Sequence, residues 1–242
     1  MTTHTALDSF LDKWRSRWPE WQLAEVFVPE GERARTLAWF ALLQEFDDIL
    51  NVAGDHLPAN AKLGWWGTEL RDWAAHRSRH PLGRLLEPVA APWARLADAL
   101  PDLVAARERA SDGAAALAAL DRYAAALAAV EAAVLGGAVP STQALAAQVL
   151  ASRLAEVAGP DALPFSHAYA AGGDAAAGER ARRDWAGELL SAWPSRPAGA
   201  PARRMWSAFA RHRLRRSAAG RAPLAGRPAL RILWQAWRAA RG

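Results

Sequence analysis

Apolar positions recur at three- and four-residue spacing along almost the whole chain, the pattern of amphipathic helices. No run alternates β-branched and polar residues, so strands are not expected. The pattern predicts short helices over 4–18 and 20–26, a long helix opened by Pro29, Glu30 and Gly31 and running to about Asn51, and another from Pro58 to about Arg77. His80-Pro81 interrupts it before a short helix to Glu87, and Pro92 and Pro101 open two more, proline suiting a first helical turn. The stretch 111–137 reads as one strong alanine-rich helix stopped by Gly136-Gly137. Ser141 caps a helix to about Ala158 that Gly159-Pro160 closes, and further helices are expected over 175–193, 201–216 and 228–240. Segments 160–174 and 194–201, rich in Gly, Ala, Ser and Pro, read as connectors. The expectation is one all-α domain over 1–242, a helical bundle in which small alanine faces let helices approach and Leu and Trp fill the gaps.

Composition sharpens this. In 242 residues, 52% are hydrophobic and 23% charged, a globular balance. Cysteine is absent, which excludes disulfides, thiolate-bound zinc, iron–sulfur clusters and thiol catalysis. No apolar run reaches the roughly 20 residues that span a bilayer, and the N-terminal stretch has no apolar core of a signal peptide. A cytoplasmic protein is expected. Up to Glu188 there are 18 Lys and Arg against 25 Asp and Glu, a balance of −7; beyond it come 12 Arg and no acid. An acidic body thus carries a basic C-terminal region, which the net charge of +5 conceals.

Two segments carry candidate chemistry. Gln44, Asp47, Asp48 and Asn51 lie three and four apart, on one helical face beside the apolar stripe Leu37, Phe40 and Leu43. Carboxylates on a buried helix are costly unless paired or bound to a cation. The next segment has Trp65-Trp66, then Glu69, then the His80-Pro81 stop. Histidines elsewhere (His4, His56, His76, His167, His212) show no metal-ligand spacing.

The ordered set Phe27, Pro29, Arg33, Asp47-Asp48, Trp65-Trp66, Glu69 and His80-Pro81 resembles the squalene/phytoene synthase family. Its members carry, in this order, a Phe-x-Pro element, a helix ending in an Asp-Asp-x-x-Asp type motif, a Trp-containing helix and a His-Pro step. Tyr123, Leu163-Pro164 and the step Arg227-Pro228-Ala229-Leu230-Arg231 extend the likeness. The resemblance implies an isoprenoid (terpenoid) synthase type of helical fold and head-to-head condensation of prenyl diphosphates. In that chemistry magnesium ions bridge aspartates to the leaving diphosphate. On it, Asp47 and Asp48 are the candidate catalytic residues, and Asp47, Asp48 and Glu156 the candidate magnesium ligands, with Glu69 beside them. Arg33, Gln44, Asn51, Trp65, Trp66 and Arg153 are the candidate substrate contacts.

The chain departs from the family pattern twice. Asn51 stands at the distal aspartate of the first motif, and the helix before Leu163-Pro164 has no Asp and a single carboxylate, Glu156. Three readings follow. One is a divergent relative with degraded condensation chemistry, keeping an isoprenoid- or lipid-binding or assembly role without a cofactor. Another is an active prenyltransferase that uses Mg2+. The third is a protein that meets the inner face of a membrane through its basic amphipathic region 201–242, where Leu230, Leu233, Trp234 and Trp237 form a stripe. The bland alternative for that region is two helices packed on the acidic body with their arginines outside. No nucleic-acid-binding motif is present, and the sequence names no protein partner.

Overall fold

A computed structural model describes residues 5–172, 174–196, 198–222 and 228–242. His4 and Arg227, named above, lie outside the described residues. Fourteen α-helices are described, and no strand is found among the described residues. They are α1 (Ala6–Arg17), α2 (Trp21–Ala24), α3 (Glu30–Leu50), α4 (Leu57–Ala74), α5 (Gly83–Leu86), α6 (Trp93–Ala99), α7 (Pro101–Ala105), α8 (Gly113–Ala118), α9 (Asp121–Leu135), α10 (Thr142–Glu156), α11 (Phe165–Ala171), α12 (Ala175–Ala192), α13 (Pro201–Ala218) and α14 (Ala229–Arg241).

Helix starts follow local chemistry. The Thr5 hydroxyl accepts from the Asp8 N–H while the Asp8 carboxylate accepts from the Thr5 N–H, a reciprocal cap for α1. Ser141 and Asp174 cap α10 and α12 through their side-chain oxygens. Thr36 to Phe46 of α3 are buried without a break. A helix covered on all sides is a central one, and α3 packs against α1, α4, α5, α9 and α10. At its middle, Trp14, Trp21, Phe40 and Trp206 join α1, α2, α3 and α13, ring centroids 4.4–5.6 Å apart. Residues from Leu11 to Ala236 share one hydrophobic core.

An ion pair crosses that core. Arg203 of α13 donates from Nε to Glu131 Oε1 of α9 (2.6 Å) and from Nη2 to Glu131 Oε2, with both residues buried. Trp39 of α3 donates to Glu131 Oε2 at 2.7 Å, and Gln148 of α10 accepts from Arg203 Nη1 at 3.3 Å. The guanidinium also lies over the Trp206 and Phe40 rings. Four helices are therefore tied at one point.

The structure corrects three expectations. The stretch 111–137 is two helices, not one. Leu120 turns out of helical geometry (φ −100°, ψ 0°) and its side chain is fully buried, while Asp121 opens the next helix with the acid that a first turn favours. The connector 160–174 contains α11, because the Phe165 and Ser166 N–H groups donate to the Ala110 and Ser111 carbonyls (2.8 and 2.9 Å), a long-range start no local pattern shows. And α13 is core: Met205, Trp206 and Phe209 are buried and Arg203 is inside. In α14, Ile232 and Ala236 face inward, whereas Leu230, Trp234 and Trp237 of the apolar stripe are 79%, 58% and 41% exposed. Arg204 pins the end of α14 through the Ala239 and Ala240 carbonyls (2.8 and 2.6 Å).

Removing one partner of a buried ion pair leaves the other charge uncompensated, a loss of about 3–5 kcal/mol. Arg203→Ala is expected to lower the unfolding free energy by about that amount in urea denaturation. A change below about 1 kcal/mol would show that the tie carries little of the fold.

An acid–arginine pocket as the candidate functional site

The Asp-bearing end of α3 opens on a pocket of about 550 Å³ walled by α1, α3, α10, α12 and α13. Trp18, Leu154 and Leu214 give it an apolar side, and Asp47, Glu156, Arg17 and Arg183 a charged one. This volume lies within the range of small-molecule sites.

Asp47 faces Ser152 of α10, which hydrogen-bonds it. Burial pushes the Asp47 carboxyl up to about 7; the negative Asp48 and Glu156 push the same way, against Ser152 and Arg17. Tyr123 of α9 is buried nearby, its hydroxyl pushed well up by burial and by the charge of Asp47. Asp48 accepts from Gln44 Nε2 (2.9 Å) and pairs with Lys13 Nζ (2.6 Å) and Arg17 Nη2 (3.1 Å). The other arm of Arg17 reaches Glu156 Oε1 at 2.6 Å. One guanidinium on α1 thus bridges the acid of α3 to the acid of α10. Being partly exposed, each pair contributes about 1 kcal/mol or less to stability. Their weight lies in engaging the carboxylate oxygens.

The sequence-derived candidates divide. Asp47, Gln44 and Glu156 line this pocket, and Asp48 adjoins it through Gln44 and Arg17. Asn51 ends α3 with both side-chain polar atoms buried and without a partner. Arg153 is buried and turned to the Leu50, Arg107 and Asp161 carbonyls (3.4, 3.1 and 3.2 Å). Arg33 Nε donates to the Val28 carbonyl at 3.0 Å, near the start of α3. Trp65 and Trp66 of α4 pack against His80 of the following turn, away from the pocket lining. Glu69 is not brought to the acids. It is buried and accepts from Trp73 Nε1 (2.9 Å) and from the Arg79 and His80 N–H groups (both 2.7 Å), anchoring the turn after α4.

Sequence reasoning missed Lys13, Arg17, Ser152 and Arg183. Lys13 and Arg17 stand four apart on α1, a spacing that puts both cations on one face. The chain's two lysines, Lys13 and Lys62, both reach Glu45 (2.8 and 2.6 Å), which holds that carboxyl below its usual range despite burial.

Among the described residues, no three His, Asp or Glu side chains gather as a metal-ligand set. Magnesium needs carboxylate oxygens free to bind it. Here Asp48 and Glu156 already hold cations on the chain itself, so this donor set does not fit the ion. No protein-family model matches the chain, and no curated protein matches it either.

Because the folded Asp47 holds its proton to about pH 7, whereas an unfolded aspartate releases it near 4, folding stability falls as pH rises through that window. Asp47→Asn removes this penalty. The variant is expected to gain on the order of 2 kcal/mol relative to the parent between about pH 5 and about pH 8, at about 1.4 kcal/mol per unit. Urea unfolding at the two pH values checks it, and a pH-independent difference would place the Asp47 titration elsewhere.

Proposed function

We propose that the chain is a divergent protein of the squalene/phytoene synthase type that keeps a binding site for an isoprenoid amphiphile and has lost head-to-head condensation. The observation that carries this is Arg17. Its guanidinium joins Asp48 and Glu156, so a tethered cation occupies the acids that would otherwise carry metal and diphosphate. The pocket retains what binding needs: an apolar wall of Trp18, Leu154 and Leu214, and rim cations Arg183 and Arg221. Arginine holds a phosphate directly, through charge-assisted hydrogen bonds. The ligand is a prenyl diphosphate or a lipid of like shape, its head at the arginines and its chain along the tryptophan.

A second reading, compatible with the first, rests on α14. Its exposed Leu230, Trp234 and Trp237 favour contact with the surface of a membrane. No helix among the described residues is long and apolar enough to cross one.

Calorimetric titration with a non-hydrolysable farnesyl diphosphate analogue tests the first reading. Binding is expected with and without magnesium at equal affinity, weakened roughly tenfold by Arg183→Ala, the equivalent of about 1.4 kcal/mol. Incubation with farnesyl diphosphate and magnesium is expected to yield no condensed product. Magnesium-dependent turnover, or no binding under either condition, would sink the proposal.

A further inference from the structure

A larger cavity, about 930 Å³, lies between α13, α14 and the segment before α13. Six arginines line it: Arg196, Arg204, Arg211, Arg215, Arg231 and Arg238. No Asp or Glu side chain is among the described residues that line it. Arg204 is held by main-chain carbonyls. Arg211 is not: its Nε is buried without a hydrogen-bond partner, and burial followed by the like charge of Arg215 pulls its pKa below the usual arginine value. Six guanidinium groups gathered with no acidic side chain among them repel one another, and a buried donor left unpaired is costly. An anion in the cavity relieves the repulsion.

The cavity's outer wall says which anion. Trp234 lines it and is also exposed on the outer face of α14, beside Leu230 and Trp237. Arg238 lies over the Trp234 ring and Arg241 over the Trp237 ring, at 5.5 and 4.5 Å. A free phosphate or a nucleic-acid strand has no use for the exposed leucine. A lipid in a bilayer uses both parts, since indole rings settle at the headgroup level and arginines meet the phosphates.

We propose that this cavity binds the headgroup of an anionic phospholipid while the Leu230, Trp234 and Trp237 face of α14 rests in the membrane interface. The proposal deepens the membrane-surface reading and rests on it.

Vesicle co-sedimentation decides it, using phosphatidylcholine vesicles with and without phosphatidylglycerol. Three double variants are compared with the parent: Arg211→Gln with Arg215→Gln in the cavity, Trp234→Ala with Trp237→Ala on the outer face, and Arg84→Gln with Arg95→Gln as an equal charge change on exposed residues elsewhere. Thermal melts confirm that each is folded. The parent is expected to prefer the anionic vesicles. The cavity pair is expected to lose roughly thirtyfold in affinity for them, from two cation contacts. The tryptophan pair is expected to lose binding to both compositions, and the control pair to change by less than about threefold. Failure of the parent to bind either vesicle overturns the membrane reading and this proposal together. Binding to anionic vesicles that the cavity pair leaves intact, or that the control pair weakens equally, overturns the cavity alone.

Discussion

The fold turns on one buried charge pair. Arg203 and Glu131 meet in the interior, and Trp39 and Gln148 complete their hydrogen bonds. Coulomb attraction at such short range is large in a low-dielectric interior, but desolvation nearly cancels it. The pair's importance therefore lies in specification more than in net stability. A guanidinium taken out of water accepts few geometries, and this one is also framed by Phe40 and Trp206. Once it is seated, α3, α9, α10 and α13 have one relative arrangement, which sets the distance between Asp47 on α3 and Ser152 on α10.

The same logic, charge paired inside the chain, runs outward to the pocket. Lys13 and Arg17 come from α1, Lys62 from α4, and together they neutralise Glu45, Asp48 and Glu156. Asp47 has Ser152 and only a distant share of Arg17, and it is the carboxyl whose proton is held to near neutrality. Within two adjacent residues one acid is tied to cations of the chain and the other is a group that titrates near pH 7. At the end of α3, Arg107 donates to the Ile49 and Leu50 carbonyls and Arg153 to Leu50. Those cations oppose the negative pole of the helix, which would otherwise disfavour acids there.

How much of this was legible depended on whether the cause was local. Helix starts set by Pro29 or Ser141 and the shared face of Gln44, Asp47 and Asp48 could be read directly, because caps and spacing act over a few residues. The break at Leu120 could not, since it answers to core packing and lies in a run of good helix formers. Nor could α11, whose first turn hangs from Ala110 and Ser111 far back in the chain. The arginines of the C-terminal region read as a solvated face. Arg203 and Arg213 each meet a glutamate far back in the chain, Glu131 and Glu20, which no local pattern announces. Arg153 and Glu69 had the right chemistry for a site, yet both are engaged with main-chain groups.

Arg17 brings one last consequence. A dissociable ion leaves a site whenever its concentration falls, whereas a guanidinium on the polypeptide is present at a fixed ratio of one and at a high effective concentration. What replaces ion supply as the governing variable is the docking of the first helix, seated by the rings of Trp14 and Trp18 against Trp206. Integrity of the N-terminal segment, together with the pH to which Asp47 answers, sets the electrostatics of the pocket.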